Sequence, residues 1–574
     1  MERVLFAPRT LPPLRPNVAE DPEPYSAWVH RREEDRRLTS QVGAMDRMLH
    51  LVMVISDEPP PETVPTLHSL QQQLNGNWAL TVVVHSSWRT SFISLLAVSG
   101  MQRLSQRVHV ESSDDECTEH QMLYQALGLR SGSDIALIFP GDVWAHDAVT
   151  LLAGGLMPRD VVYADQDCLT AGGNYHSPLL KPIYSPEFHL RYSFVGRPVA
   201  LGGEVVELLS TSALRESVAV EHNIALLACE LADNVRHIPE ILCHRLIAPP
   251  IDAPDIEHVI DALERRNDPA EVSRGPATDT FRVRRRAPPS LKTSIIIPFR
   301  DEPRFLRTCV DSVEATRADV TVEFVLVDNG SVQPETATLL EILGQRANVR
   351  ILTDGRPFNW AQLNNDASRE ATGELLIFLN NDIQAHDVGW LDALCGQAMR
   401  PGVGAVGARL LYPDRRLQHC GVVIGLGGAA GHLFVGLGKD QHGYLRMATT
   451  TRECGAVTGA CLATRSEVFS QLKGFDESLG VDLNDIDYCL RAQRQGYCVL
   501  YEADAELVHH ESPSRGTAGD VRDIVHFIDR WKQSILSGDP YLNPNLTRVD
   551  SSCALRRSDE EVWWSQWNEG LSRS

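Results

Sequence analysis

Acidic and amide side chains follow several apolar runs of this sequence, at the point where each run ends. "SIIIPFRD" ends in Arg300 and Asp301, and "LIFLNND" ends in Asp382. Such runs are typical of buried strands, and ligands of parallel sheets bind beyond the carboxyl ends of the strands. One carboxylate there can bind Mg²⁺ or Mn²⁺ together with phosphate oxygens and water. The candidate ligand-binding residues are therefore Pro298, Phe299, Arg300, Asp301, Asp328, Asn329, Gly330, Asn380, Asn381 and Asp382.

A second acidic pattern lies further along the chain. "VDLNDIDYCLR" places Asp485 and Asp487 two residues apart near the start of a predicted helix. Carboxylates are favoured there because they cap free N–H groups and interact well with the helix dipole. Capping alone would explain both residues. A general base must also reach the hydroxyl that it deprotonates, which a sequence does not show.

The elements around these residues alternate. Apolar runs at "SIIIP", "VEFVLVDNGS", "VRILT" and "ELLIFLNND" are separated by helical patterns over about 303–316, 334–346 and 360–371. Alternation of strands and helices predicts an α/β fold with a mostly parallel sheet and helices on both of its faces. That fold would bring the polar strand ends to one edge of the sheet.

Composition limits the classes of function. A chain of 574 residues with 43% apolar residues predicts two or more globular domains. A net charge of −22 argues against nucleic acid as a partner and disfavours anionic membranes. The twelve scattered cysteines, without a C-x-x-C motif, predict reduced core thiols. Neither a signal peptide nor a membrane span is expected, so we expect a cytoplasmic protein with, at most, peripheral contact to the inner face of the cell membrane.

Several motifs resemble the family-2 glycosyltransferases of the GT-A fold. They are "TSIIIPFRDEPRFLRTCVDSV", "VLVDNGS", "NNDASREATGELLIFLNND", "AVTGACLATRSEVFSQLKGFDE" and "NDIDYCLRAQRQGYCVLYEADAELVHHESPSRG", in this order. "LQHCGVVIGLGGAAGHLFVGL" and "DPYLNPNLT" resemble bacterial members that build surface polysaccharides, rhamnosyltransferases among them. The resemblance covers about 290–547. It implies inverting transfer of a hexosyl or deoxyhexosyl group from a UDP-, dTDP- or GDP-linked sugar to a glycan or lipid-linked acceptor, with polysaccharide-assembly proteins as further partners.

The resemblance also implies roles for individual residues. Asp382 stands where the family has its metal-binding D-x-D motif, although Asn380 replaces the first aspartate, and His509 is the second candidate ligand of Mn²⁺ or Mg²⁺. The adjacent His510 is not distinguished from His509 by the sequence. Asp485 matches the general base, and Asp328 matches the acid that binds the nucleobase. Nucleotide-sugar binding is further implied for Pro298, Phe299, Arg300, Asp301, Asn364, Asn380 and Asn381.

The upstream half repeats the same pattern. "LIFPGDVWAHD" aligns with "LIFLNNDIQAHD", which places Asp142 opposite Asp382 and predicts a second GT-A unit in tandem. Its chemistry is eroded, because His85 stands at the position of Asp328, Glu221 at that of Asp485 and Asn223 at that of Asp487. We therefore predict an extended arm over 1–47, a degenerate GT-A-like domain over 48–245, a linker over 246–290, a catalytic domain over 291–519 and a helical extension over 520–574.

The sequence is also compatible with other functions. Both GT-A units could be active and form two linkages, or the chain could be a nucleotidyltransferase or a glycan-binding scaffold without activity. A nucleotidyltransferase would more naturally carry a glycine-rich loop after its first strand, and "PFRDEPRF" has no glycine. "GLGGAA" at 425–430 matches a dinucleotide-binding fingerprint, but "GHLFVGLG" follows where a helix should begin. A flexible loop on the acceptor side is the better interpretation.

Overall fold

A computed structural model describes residues 22–39, 47–98, 102–212, 220–246, 256–511, 521–556 and 560. The chain divides into an N-terminal unit, Pro16–Tyr184 with Tyr192–Asp268, and a C-terminal unit that includes Ser185–Arg191 and Pro269–Ser574. No helix in the described ranges is long and apolar enough to cross a membrane. The predicted tryptophan-rich stretch at Trp563, Trp564 and Trp567 lies outside those ranges.

The described residues between 22 and 268 form alternating strands and helices. The strands are β1 (Leu49–Ile55), β2 (Trp78–His85), β3 (Val108–Ser113), β4 (Ile135–Leu137), β5 (Asp142–Trp144), β6 (Asp160–Leu169), β7 (Tyr175–Leu179), β8 (Val199–Leu201) and β9 (Asn234–Arg245). The helices are α1 (Pro22–Thr39), α2 (Thr63–Gln71), α3 (Arg89–Val98), α4 (Gln102–Ser105), α5 (Glu119–Leu129), α6 (Ala148–Ala153), α7 (Pro186–Arg191), α8 (Gly203–Thr211), α9 (Val220–Leu231) and α10 (Ile256–Arg265). Of these, α7 belongs to the C-terminal unit.

The remaining elements lie in the C-terminal unit. Its strands are β10 (Glu271–Arg274), β11 (Phe281–Arg284), β12 (Lys292–Phe299), β13 (Thr321–Asp328), β14 (Val349–Thr353), β15 (Leu375–Leu379), β16 (Ile383–Ala385), β17 (Val403–Leu411), β18 (Leu417–His419), β19 (Val422–Ile424), β20 (Ala430–His432), β21 (Arg452–Glu453), β22 (Cys461–Arg465) and β23 (Cys498–His509). Its further helices are α11 (Pro303–Thr316), α12 (Pro334–Leu343), α13 (Trp360–Glu370), α14 (Trp390–Ala398), α15 (Ser466–Gln471), α16 (Asn484–Arg494) and α17 (Val521–Ser537).

The predicted alternation is present in the C-terminal unit. Strands β14, β13, β12 and β15 are neighbours and run parallel, in that order. α11 and α12 each begin at a proline, which fits the first helical turn because proline lacks an N–H and no helical carbonyl is available to accept one there. Ile295 and Ile297 of β12 pack in one core with Leu306 of α11 and Leu391 of α14. This half of the sheet holds the strand ends that the sequence singles out.

The second half of the same sheet is mixed. β15 continues into β22, β17, β23 and β16, where only β17 and β23 are parallel neighbours. The N-terminal unit has the matching order β3, β2, β1, β4, β8, β6, β9 and β5, with the same parallel and antiparallel pairs. The α/β fold with two tandem GT-A domains is thereby confirmed.

The N-terminal arm differs from its prediction. The sequence predicts an extended segment over 1–47, whereas Pro22–Thr39 is a helix of 18 residues. Its prolines lie in the first turn, where the N–H groups have no helical partner, and strong helix formers follow. Tyr25 donates a hydrogen bond to Asp167 over 2.7 Å, and Arg36 pairs with Asp147 at 2.9 Å. Tertiary contacts within the N-terminal unit therefore hold this helix.

The cysteines are free thiols, as predicted. All twelve lie in the described ranges, none of them forms a disulfide, and nine are buried. Burial raises the pKa of Cys309, Cys395 and Cys454. Such thiols act as small apolar core residues.

Candidate active site

Asp382 and His509 meet where two distant strands pair. Asp382 follows the fully buried strand β15 and directly precedes β16, and β16 is antiparallel to β23 so that Ile383 lies opposite His509. This register places His509 Nε2 3.1 Å from Asp382 Oδ1. Both side chains are buried, with 6% and 8% exposure for Asp382 and His509. His510 points elsewhere, because its Nε2 lies 3.0 Å from Gln384 Oε1.

Two amide side chains surround the His509 ring. Its Nδ1 lies 2.7 Å from Gln418 Oε1, an oxygen that only accepts, so Nδ1 carries a proton. The Asn380 amide nitrogen lies 3.4 Å from Nε2 on the other side of the ring. In the neutral imidazole, Nε2 then presents its lone pair beside the Asp382 carboxylate. Two electron-pair donors that lie side by side form a place for a cation.

Asp485 is the second residue of α16 and carries the other carboxylate of the site. Its Oδ2 accepts a hydrogen bond from Gly459 N at 2.6 Å, and its Oδ1 accepts one from Ile486 N at 2.8 Å. Burial raises the pKa of this carboxyl group, although both hydrogen bonds oppose the shift. A carboxylate with a raised pKa is a stronger base, which suits proton abstraction from a hydroxyl group.

One pocket joins Asp485, Asn380 and His509, whereas Asp382 is not among the residues that line it. It has a volume of about 330 Å³, and its walls include Asn380, His509 and Asp485. Trp360, His432 and Gly427 also line it. The sequence positions 380, 485 and 509 thus face a common space that could hold a sugar and a reacting hydroxyl group.

The glycine-rich run 425–430 forms part of this pocket. A short 3₁₀ turn at Leu426–Gly428 follows β19, and β20 then returns antiparallel to β19. Gly425, Gly427 and Gly428 have φ values of 86°, 64° and 113°, which side chains with a Cβ adopt only with strain. No regular helix follows within these described residues, so the run lacks the geometry of a dinucleotide-binding loop.

Asp487 has a different role from Asp485. It is fully buried and accepts hydrogen bonds from Arg491 Nε at 2.7 Å, Arg530 Nη1 at 2.9 Å and Trp531 Nε1 at 2.9 Å. Arg530 and Trp531 belong to α17. Asp487 therefore joins α16 to the C-terminal helix, rather than only securing the first turn of α16.

Asp328 and Asp301 organise the loops after β13 and β12. Asp328 Oδ1 accepts a hydrogen bond from Ser331 N at 2.8 Å. Asp301 Oδ1 accepts bonds from Val332 N at 2.9 Å and Gln333 N at 2.8 Å. Arg300 beside them is exposed and Asn381 is half-buried. None of these four is among the residues that line the pocket.

Three other predicted binding residues are buried in packing. Phe299 belongs to the hydrophobic core at 4% exposure, and Pro298 is buried in the same strand. Asn364 is fully buried and donates a hydrogen bond to the Trp360 carbonyl oxygen at 2.8 Å. Nucleotide-sugar binding by Pro298, Phe299 and Asn364 stays a prediction, and their burial leaves mainly their backbone atoms for such a contact.

The corresponding carboxylates of the N-terminal unit are bound by an arginine. Arg197 Nη1 lies 3.0 Å from Asp142 Oδ1, and Arg197 Nη2 lies 2.8 Å from Glu221 Oε2. His85 Nε2 lies 2.8 Å from the carbonyl oxygen of Cys117. A fixed guanidinium group thus lies where the C-terminal unit has its pocket groups.

Sequence reasoning missed several pocket residues. Gln418, His432 and Trp360 were not singled out, although Gln418 and His432 lie in the motif "LQHCGVVIGLGGAAGHLFVGL". Histidine and glutamine inside an otherwise apolar and glycine-rich motif were the available signal. Their partners lie on strands that are distant in the sequence, so the pattern did not reveal them.

Comparisons with known proteins show to which proteins the sequence is similar. Residues 294–471 match the model of the glycosyl transferase family 2. The O-antigen biosynthesis protein RfbC of Myxococcus xanthus is 32% identical over 97% of this chain and 45% of its own length. The chain thus spans less than half of that relative. An N-acetylglucosaminyl-diphospho-decaprenol L-rhamnosyltransferase of Mycobacterium tuberculosis is 27% identical over 39% of this chain and 76% of its own.

Solved structures give a weaker likeness. The mannosyltransferase PcManGT from Pyrobaculum calidifontis, in complex with GDP-Man and Mn²⁺, is 17% identical over 48% of this chain and 70% of its own, with a TM-score of 0.32. The family assignment rests instead on the match over residues 294–471 and on the relatives in sequence. Over residues 294–471, the chain has the sequence of a family 2 glycosyltransferase domain.

Proposed function

We propose that this chain transfers a hexosyl or deoxyhexosyl group from a nucleotide sugar to a glycan or lipid-linked acceptor in the synthesis of a bacterial surface polysaccharide. The observation that carries the proposal is the shared pocket of Asp485, Asn380 and His509. It combines a carboxylate that can take a proton with groups that can receive a diphosphate-linked sugar. The relatives' names support polysaccharide synthesis as the process.

Asp485 acts as the general base in this proposal. The acceptor hydroxyl gives its proton to the Asp485 carboxylate while its oxygen forms a bond to the anomeric carbon. The bond from that carbon to the donor phosphate oxygen breaks, and the nucleoside diphosphate leaves with the electron pair. Attack from the face opposite the leaving group inverts the anomeric configuration. The hydrogen bonds from Gly459 N and Ile486 N hold the carboxylate in place for this step.

Asp382 and His509 would hold a divalent cation, Mn²⁺ or Mg²⁺. Their facing oxygen and nitrogen atoms fit such an ion, whereas the described residues contain no group of three or more such ligands around one point. Oxygen atoms of the donor and water would complete the ligand set, as Mg²⁺ often requires. When bound, the ion neutralises negative charge on the diphosphate.

The N-terminal unit would be catalytically silent. Burial raises the pKa of Asp142, and Arg197 opposes the shift by pairing with the carboxylate. A cation or substrate would have to displace a guanidinium group that also binds Glu221. Breaking buried ion pairs is costly, which favours one active unit over two.

Release of nucleoside diphosphate from a panel of UDP-, dTDP- and GDP-sugars, with Mn²⁺ and candidate acceptors, tests the proposal. We expect one donor to be used, and only in the presence of an acceptor. Failure of every donor in the panel, with a folded protein, would contradict it. Cleavage of a nucleoside triphosphate to pyrophosphate would instead indicate a nucleotidyltransferase.

A further inference from the structure

We infer that Gln418 is a positioning residue that holds the His509 ring so that Nε2 faces Asp382 as a metal ligand. This inference rests on the proposed use of a divalent cation by the C-terminal unit. Gln418 lies on β18, which pairs with β17. It is distant in the sequence from both proposed ligands, Asp382 and His509. Two contacts of Gln418 and one unpaired amide nitrogen define its role.

The first contact fixes the tautomer. Gln418 Oε1 lies 2.7 Å from His509 Nδ1 and accepts its proton. A neutral imidazole has a single N–H group, so Nε2 is left with a lone pair. That nitrogen lies 3.1 Å from Asp382 Oδ1, and the Asn380 amide nitrogen approaches it at 3.4 Å. Histidines that bind metals in proteins commonly donate their second N–H to such an oxygen.

The second contact fixes Gln418 itself. Its backbone carbonyl oxygen lies 2.9 Å from His432 Nδ1, and its side chain is only 4% exposed. The amide therefore has little room to turn away from His509. The main chain of Gln418 is held by strand pairing and by the hydrogen bond of its carbonyl oxygen to the His432 ring. Its side chain is held by the hydrogen bond of its amide oxygen to His509.

The amide nitrogen of Gln418 indicates that packing alone does not account for a glutamine at this position. Gln418 Nε2 is buried and has no hydrogen-bond partner among the described residues. A buried donor without a partner costs about 1–3 kcal/mol. An apolar side chain of similar length would avoid this cost. The oxygen of the amide, which bonds to His509, is the feature that an apolar residue would lack.

The N-terminal unit shows the contrasting arrangement. The registers of β5 and β16 place His244 at the position of His509. His244 Nδ1 lies 2.6 Å from Asp167 and its Nε2 lies 3.2 Å from Glu33. Although burial lowers it, these two carboxylates raise the pKa of His244 to about 9. The His244 ring thus has a carboxylate partner on each nitrogen, whereas the His509 ring has the Gln418 amide oxygen on Nδ1 and a carboxylate, that of Asp382, only beside Nε2.

Mn²⁺ binding to the full chain tests the inference. Free Mn²⁺ is measured by electron paramagnetic resonance during titration of the wild type, Gln418→Leu, Gln418→Glu and His509→Ala. We expect Gln418→Leu to weaken Mn²⁺ binding about 10- to 100-fold, as loss of such an orienting group does in other metal sites. Gln418→Glu keeps the accepting oxygen and should bind Mn²⁺ at least as tightly as the wild type.

The variants separate this inference from the proposed function. If His509→Ala weakens Mn²⁺ binding but Gln418→Leu does not, Gln418 has no positioning role and only the metal site stands. A Gln418→Glu protein that is as weak as Gln418→Leu also overturns the inference, because an accepting oxygen would not matter. Unchanged binding by His509→Ala overturns both. If Gln418→Leu does not give a native near-ultraviolet circular dichroism spectrum, Gln418→Met replaces it.

Discussion

Replacement of Asp485 by asparagine should slow the chemical step strongly while leaving donor binding in place. The change removes the group that takes the proton of the acceptor hydroxyl but keeps the size of the side chain. Loss of a general base typically slows the chemical step by about 10²- to 10⁴-fold. Because only the transition state loses an interaction, kcat should fall while the KM for the donor changes little.

The structure adds a cost in stability. Both carboxylate oxygens of Asp485 accept backbone hydrogen bonds, from Gly459 N and Ile486 N. Asparagine has one oxygen, so its amide nitrogen must face one of these N–H groups. A buried donor that loses its acceptor costs about 1–3 kcal/mol. We therefore expect a folded variant with a lower free energy of unfolding, not a silent substitution.

Three measurements check this prediction. Single-turnover kinetics report the chemical step, chemical denaturation reports stability, and NMR of the first product reports the anomeric configuration. The pH profile offers a further check, since burial raises the pKa of Asp485 and activity should fall with acid at a higher pH than for an ordinary aspartate. An Asp485→Asn enzyme as fast as the wild type, or retention of configuration, would refute the assignment of the base.

Four further predictions concern other carboxylates. Asp382→Ala should abolish transfer and Mn²⁺ binding but leave a folded protein; full activity of the wild type in excess chelator would contradict this. Asp142→Ala should leave transfer intact in the nucleoside diphosphate assay, whereas loss of one of two product linkages would show two active units. Glu187→Gln should lower the free energy of unfolding by about 3–5 kcal/mol in urea, because the buried carboxylate pairs with three arginines. Burial raises the pKa of Asp539 to about 6, so the folded state holds this proton more tightly than the unfolded state does. The free energy of unfolding should therefore fall by up to about 3 kcal/mol as the pH rises from about 4 to 6. Asp539→Asn should flatten this part of the plot of unfolding free energy against pH, and an unchanged slope would contradict the prediction.

The parallel half of the C-terminal sheet could be predicted from the sequence. Its strands are continuous apolar runs, and the predicted helix over 303–316 matches Pro303–Thr316. Such elements are specified locally, by periodicity and by the proline at the helix start. The repeat could also be predicted, because the apolar strand β4 and the turn at Asp142 preserve the pattern of β15 and Asp382.

The contacts of the site could not be predicted in the same way. Asp382 meets His509 only because β16 pairs with β23, and Gln418 reaches the same ring only because β18 pairs with β17. These pairings are antiparallel additions to the parallel sheet. They depend on tertiary packing and not on local propensity. The sequence alone did not distinguish His509 from His510, and His509 was the candidate only by resemblance, whereas the strand register brings His509 to Asp382.

The two units show how one strand order can carry different chemistry. In each sheet, an acidic residue lies at or directly before a short strand, Asp142 at β5 and Asp382 at β16. A second one lies on the helix before a long strand, Glu221 on α9 before β9 and Asp485 on α16 before β23. In the C-terminal unit, backbone N–H groups hold Asp485 and leave a pocket beside it. In the N-terminal unit, Arg197 satisfies both carboxylates directly. Under the proposed function, Arg197 takes the place of a bound cation in the N-terminal unit, so that Asp142 and Glu221 are paired without a ligand.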